Sequence, residues 1–149
     1  MKTSFAAALL ALAAITAGAQ SGVLGVWKTK SGSIVRIDRC GDKVCFTVIR
    51  ITPGITATTD IHNPDPALRN RPLCNLRIGT GFTLSDPDHA AGGTLYDPKT
   101  GKTYHGQMAI EDGKLHLRGY VGIPLFGASE TWTRPTAPVA PCNSAQPSR

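Results

Sequence analysis

Between positions 60 and 71 the chain reads DIHNPDPALRNR, which sets Asp60, Asn63, Asp65, Arg69 and Arg71 within one turn-rich segment. Two guanidiniums beside the capped start of a short helical turn form a candidate site for a carboxylate or phosphate. Arginine offers a planar fork of donors, and helix N-termini favour anions. The competing use of the same residues is structural: Asp60 and Asn63 forming Asx turns, and the arginines pairing with acids or carbonyls. Asp60, Asn63 and Asp65 supply the oxygen atoms that calcium prefers, but their spacing matches no known calcium loop. Four histidines, His62, His89, His105 and His116, show neither helical i, i+4 spacing nor a nearby Cys/His cluster, so they read as surface residues. The chain has no Gly-x-Ser-x-Gly elbow and no glycine-rich phosphate loop leading from a strand into a helix. The expectation is a protein with no catalytic residues, no metal site and no cofactor, whose ligand-binding candidates are Asp60, Asn63, Arg69, Arg71 and the more distant Tyr104.

The elements that must position these residues begin after a leader. Lys2, the apolar run Phe5 to Ile15 and the small-residue site Ala17-Gly18-Ala19 mark residues 1–19 as a signal peptide. The run is too short to span a bilayer, so no stable membrane insertion is expected, and the chain is predicted to be periplasmic or secreted. Four cysteines in an exported chain then imply disulfides. The net charge of the whole chain is +6; without Lys2 it is +5, spread along the sequence with no block of like charges. That pattern describes a solvated basic surface and, with the export signal, argues against nucleic acid. A small-molecule ligand, or an envelope protein or polymer, remains as partner.

The clearest structural signal is YDPKTGKTYHGQMAIEDGKLHLRGYVG, Tyr96 to Gly122, which reads strand, turn, strand, turn, strand. Pairing Ile110 with Leu115 sets Met108 against Leu117, Gly106 against Gly119 and Tyr104 against Val121 on one apolar face. His105, Gln107, Ala109, His116, Arg118 and Tyr120 fall on the wet one. Gly22 to Thr29 predicts a first strand, and Ile34 to Asp38 with Val44 to Thr52 a hairpin tipped by Gly41 to Val44. In that register Cys40 lies directly across from Cys45, with Val35, Ile37, Val44, Phe46 and Val48 on the opposite face. Four cysteines allow three pairings; the hairpin register favours Cys40 with Cys45 as a local pin, leaving Cys74 with Cys142.

The strand pattern fails from Pro53 to Ile78, predicting a long loop with one helical turn that Asn63 caps and Leu68, Leu73 and Leu76 anchor. Strand returns at Gly81 to Leu84, Ser85 to Gly92 reads as another loop, and Ala128 to Arg134 is the last strand. Residues 20–134 form a single domain, and 135–149 a flexible proline-rich tail tied down at Cys142. About eight short strands and almost no helix predict an all-β, antiparallel up-and-down barrel that pairs its last strand with its first. Tyr104, Met108, Leu117 and Val121 would line it. The gap between Gly106 and Gly119 is filled by Trp27 or Phe46, or else it holds a ligand.

Gly25-Val26-Trp27 near the start and Thr131-Trp132-Thr133-Arg134 at the end resemble the ends of a lipocalin-type, or calycin, barrel. That resemblance implies that Trp27 packs against Arg134 across the barrel floor. The chain also resembles a domain-of-unknown-function family of small exported bacterial proteins with such an eight-stranded barrel. The matching pieces are Cys40-Gly41 with Cys45, Asp60-x-x-Asn63-Pro64-Asp65-Pro66-Ala67-Leu68-Arg69-x-Arg71-Pro72-Leu73 and Tyr96-Asp97-Pro98-x-x-Gly101-Lys102-x-Tyr104. Leu117 to Gly122, Leu125-Phe126-Gly127 and Trp132-Thr133-Arg134 complete them. The resemblance carries no established reaction. Asn75 departs from it where glycine is usual after the cysteine, and His89 to Gly92 lacks an expected aromatic.

Overall fold

The computed structural model describes residues 21–52 and 57–142, so the signal-peptide reading and the last seven residues of the tail lie outside the described residues. Its strands are β1 (Gly25–Lys28), β2 (Ile34–Cys40), β3 (Lys43–Arg50), β4 (Arg77–Asp86), β5 (His89–Asp97), β6 (Lys102–Glu111), β7 (Lys114–Tyr120) and β8 (Gly127–Trp132). They form one antiparallel sheet in sequence order, each strand paired with the next. The fold is an all-β, up-and-down array curled into a barrel. The first and last strands meet at a single bridge: Lys28 and Thr133 exchange backbone hydrogen bonds of 2.7 and 3.0 Å. Closure is thus confined to one end, where full edge pairing was expected.

The β6–β7 hairpin has the expected register, from Glu111↔Lys114 through Met108↔Leu117 and Gly106↔Gly119 to His105↔Tyr120. Tyr104 and Val121 lie just past its last pair. In the β2–β3 hairpin Asp38 stands opposite Cys45 and Cys40 opposite Lys43, so the turn is the two-residue Gly41-Asp42 and the cysteines are diagonal neighbours. Side chains alternate with period two, so this two-residue difference leaves every residue on its expected face. The disulfides are Cys40–Cys45 and Cys74–Cys142, with Cα atoms 5.9 and 6.1 Å apart. Ser85 to Gly92 is not a loop: β4 and β5 run on to a tight turn at Pro87-Asp88, although the segment's polar and small residues hide the alternation.

An up-and-down order places connections alternately at the two ends. At one end lie three two-residue turns, Gly41-Asp42, Pro87-Asp88 and Asp112-Gly113, together with the entry to β1 and the exit from β8. Arg134 closes this end. Its guanidinium lies 3.6 Å from the centre of the Trp27 ring and donates to the carbonyls of Gly22 (2.7 Å), Leu24 (3.1 Å) and Val26 (3.3 Å). Trp27 in turn donates its indole N–H to Val23 O at 2.8 Å. Above this cap Phe46 and Phe82 stack at 4.9 Å, and Trp132 meets Phe46 edge-on at 6.1 Å. Such aromatic packing adds about 0.5–1.5 kcal/mol per pair beyond the area buried.

The glycines explain how so few aromatics fill half a barrel. A Cβ on Gly79 would come 2.6 Å from Phe46, and one on Gly93 or Gly106 would come 2.2 or 2.7 Å from Phe82. The side chain over Gly106 is therefore Phe82, rather than Trp27 or Phe46. Its partner Gly119 differs: a Cβ there would meet only Tyr104, at an ordinary 3.5 Å. The filled core stops between these paired residues.

Candidate functional site

At the opposite end the β1–β2, β3–β4, β5–β6 and β7–β8 connections surround a cavity of about 740 Å³. Val35, Val48, Leu95, Leu117 and Trp132 make its inner wall apolar, each from an inward position of its strand, and Ile78 joins them at the register shift between β3 and β4. Tyr104 and Gly119 complete the wall where the aromatic filling ends. His62, Asp97, Lys99 and Tyr120 stand among the outer lining, so polar and charged groups gather around an apolar interior. Ala128, Ser129 and Glu130 line it consecutively. A strand face presents only alternate residues, so the cavity here meets the edge of β8 that β1 leaves unpaired.

One wall is the long loop between β3 and β4, which contributes Ala57, Thr59, Ile61, His62 and Leu73. Its hold on the barrel is polar. Asp60 is fully buried; one carboxylate oxygen accepts the Tyr96 hydroxyl at 2.5 Å, while the other accepts Asn63 Nδ2 at 2.7 Å and Arg71 Nε at 2.9 Å. Arg71 Nη2 adds a contact at 2.8 Å, and the guanidinium lies 5.5 Å from the Tyr96 ring centre. Burial raises the Asp60 pKa, but the hydrogen bonds from Tyr96, Asn63 and Arg71 together outweigh it and hold the carboxyl below its ordinary value. Burial, and then the bond to Asp60, pushes the Tyr96 hydroxyl upward, so it remains a donor.

Backbone bonds continue this knot. Asp60 N–H donates to Arg71 O, Asn63 N–H to Asp60 O, and Arg69 Nε to Asn63 O at 2.8 Å. The helical turn, Pro66–Leu68, is capped by Asp65, whose carboxylate accepts Ala67 N–H at 2.9 Å. Asn63, the expected cap, instead accepts Asp65 N–H, two residues before the observed cap. Leu76 is buried and Leu73 half-buried, but Leu68 is exposed, so the third expected anchor is replaced by Asp60 and Asn63. Gly101 seals the junction with the β5–β6 turn: at φ 70° its Cα packs so closely on His62 O that a Cβ would lie 1.9 Å from it. Asn75 adopts φ 63°, the left-handed geometry that asparagine tolerates better than most residues.

The structure thus divides the five ligand-binding candidates. Asp60, Asn63, Arg69 and Arg71 come together in the loop knot, outside the cavity lining, and their inward polar atoms bond one another. Tyr104 stands apart, in the cavity wall. The sequence pointed to Tyr96 only as a strand residue ahead of the Asp97-Pro98 turn; its hydroxyl joins the knot to the lining. Nothing in the local spacing singled out Leu95, and Trp132 entered only through the closing-strand pattern, because their common position in the lining depends on strand register around the whole barrel. Among the described residues no three His, Cys, Asp or Glu side chains are grouped so as to hold a metal ion.

A bacterial family described as "Uncharacterized protein conserved in bacteria" (DUF2147) matches residues 25–134, the barrel and its long loop. The chain belongs to this family. No curated protein matches it. Among solved structures it is similar to a Helicobacter pylori protein, HP1028, described as belonging to the lipocalin family. The two share 24% identity over 78% of this chain and 84% of the other, with a TM-score of 0.71. The likeness establishes a lipocalin-like fold for this member of the family. Its two disulfides suit an oxidising, non-cytoplasmic compartment, and among the described residues no helix is long and apolar enough to cross a membrane.

Proposed function

We propose that this member of the family is an exported, non-catalytic barrel that binds one small amphipathic molecule, in the periplasm or outside the cell. The observation that carries the reading is the cavity of about 740 Å³ beside an aromatic layer that fills the other half of the barrel. Ligand sites of about 300–1,000 Å³ with apolar walls and a few polar groups are the usual form for small molecules. The apolar part of the ligand lies against Val35, Val48, Leu95, Leu117 and Trp132. Its polar end faces His62, Lys99 and Tyr120 at the outer lining. Asp60, Asn63, Arg69 and Arg71 act one step removed, by holding the loop that forms the wall.

Native mass spectrometry of the chain taken from its own exported compartment, against the same sample denatured, tests this reading. The expected result is a defined small molecule that leaves on denaturation and that rebinds to raise the melting temperature. A bare chain under every growth condition, with no melting shift from a panel of fatty acids, lysolipids and sterol-like compounds, would overturn it.

A further inference from the structure

Beside the cavity, the β7–β8 connection Val121-Gly122-Ile123-Pro124-Leu125-Phe126 turns its apolar side chains outward. Leu125 is 75% exposed, Phe126 69%, Val121 65% and Ile123 52%, with Ile61 of the long loop at 48%. Val121, Phe126 and Ile61 also line the cavity, so the apolar surface is continuous from its interior to the tip of the hairpin. Exposed apolar surface of this extent at one place on a soluble chain marks an interaction site.

The backbone of this tip indicates what it meets. Arg118, on the outer face of β7, donates Nε to Pro124 O at 2.5 Å and Nη2 to Leu125 O at 3.3 Å and Gly127 O at 3.5 Å. Its remaining Nη1 donates to Ser129 Oγ at 3.0 Å. Val121 N–H donates to Phe126 O and Phe126 N–H to Ile123 O, while Pro124 has no N–H to satisfy. The carbonyls of Ile123, Pro124, Leu125 and Phe126 are therefore met from within the hairpin, underneath exposed apolar side chains. A protein partner could supply hydrogen bonds of its own, but a hydrocarbon phase cannot, and there unsatisfied backbone groups are costly. The charges agree. Lys30, Lys99 and Arg118 lie at this end. Its acids all accept protein donors: Asp97 from Thr100 and the Lys99 amide, Glu130 from the Lys30 amide, Asp65 from the Ala67 amide, and Asp60 from Tyr96, Asn63 and Arg71; without Lys2 the chain carries a net +5.

We infer that the β7–β8 tip is a lipid-docking element, inserting Ile123, Leu125 and Phe126 into the interface of an anionic lipid surface while Arg118 holds the tip's carbonyls. This is peripheral docking through a hairpin, not a membrane span. It does not depend on the cavity being occupied, and it survives if the ligand reading fails.

Flotation of the disulfide-bonded exported chain with vesicles of phosphatidylcholine, with and without 30% phosphatidylglycerol, is the test. Three proteins are compared: wild type, Leu125→Ser/Phe126→Ser and Arg118→Met. The serine changes fall on exposed side chains, so circular dichroism and melting should match wild type. The expected result is binding to the anionic vesicles that falls at least tenfold in the serine variant and severalfold in Arg118→Met. Anionic binding that persists in the serine variant would overturn the proposal and leave only adsorption of a basic protein. So would absence of wild-type binding, including the case where sedimentation shows a dimer that the serine variant loses, since the occupant would then be a second copy.

Discussion

The two ends of this barrel are built from the same strands but held by different forces. The closed end is a hydrophobic and aromatic plug: Trp27 under Arg134, with Phe46 stacked on Phe82 over backbone that glycines leave bare. The open end has apolar walls but polar fastenings, with buried Asp60 and Asn63 tying down a loop that has little core of its own. Burial of apolar area needs no exact partner, whereas a buried carboxylate is stabilising only while every donor stays in place. The filled end should therefore resist changes of solution condition, and the cavity end should respond to them.

The sharpest contrast in size concerns the disulfides. Cys74–Cys142 spans 68 residues and ties the long loop to the segment after β8, whereas Cys40–Cys45 spans only 5, at a closed-end turn. Loop-closure entropy gives about 4 kcal/mol for the first and about 2 kcal/mol for the second. Urea unfolding of the Cys74→Ser/Cys142→Ser and Cys40→Ser/Cys45→Ser variants should show this order. Equal losses would mean that the cavity end is not the more dependent on its staple.

Next comes Asp60→Asn, which keeps the shape but removes the buried charge facing Arg71. Removing one partner of a fully buried pair costs about 3–5 kcal/mol; Arg71 is about one-third exposed, so about 2 kcal/mol is expected. The loss should be local, with faster hydrogen exchange over residues 57–73 and little change in β6 and β7. The pH dependence has a definite sign. The folded Asp60 pKa lies below the unfolded value of about 3.9, so its contribution is complete above about pH 5. It declines as the unfolded chain takes up the proton, and is lost as pH falls through the folded value. Exchange in the loop should therefore quicken below about pH 4 in wild type, and the Asp60→Asn variant should lack that step.

Gly106 and Gly119 are paired across β6 and β7, one on each side of the boundary between the ends. Gly106→Ala sets a methyl against Phe82 and should cost about 1–3 kcal/mol, the usual cost of overpacking. Gly119→Ala meets Tyr104 at an ordinary distance and should leave stability nearly unchanged. Gly119→Leu should still fold but fill the cavity, lowering affinity for a fluorescent apolar probe at least tenfold. If both alanine variants melt alike, the core does not end where the structure places its end.

This pair also shows how far the sequence could be read. Turn residues and alternation are local, so the facing of Gly106 and Gly119 was legible from the β6–β7 segment alone. Phe82 was not, because it reaches Gly93 and Gly106 only once β4 to β6 have curled. The hairpin at Pro87-Asp88 was hidden by His89, Ala90 and Ala91, whose weak alternation looks like loop composition. At the candidate site the clustering of Asp60, Asn63, Arg69 and Arg71 was legible, and so was the structural reading in which they bond one another. Of the cavity, Tyr104, Leu117 and Val121 were legible from the alternation of the β6–β7 segment, whereas Met108 lies in the filled core and the rest of the wall was not legible, since it is assembled from strands distant in sequence. The lipocalin-like ends, Trp27 and Arg134, were legible because one short pattern specifies both.

The smallest effect is expected back at the closed end, where His89 and Asp86 meet at 2.9 Å across the exposed β4–β5 turn. The hydrogen bond and charge of Asp86 raise the His89 pKa above its ordinary value of about 6.5. Its contribution is therefore present below about pH 6.5 and lost as pH rises through the folded value, opposite in direction to that of Asp60. Both side chains are half exposed or more, so water and salt screen the pair and His89→Gln should leave the melting temperature almost unchanged. NMR titration should nevertheless give His89 a higher midpoint in wild type than in the Asp86→Asn variant. A large loss of stability in His89→Gln would mean that the closed end, too, leans on a titratable fastening, and that the division into a plugged end and a pinned end is wrong.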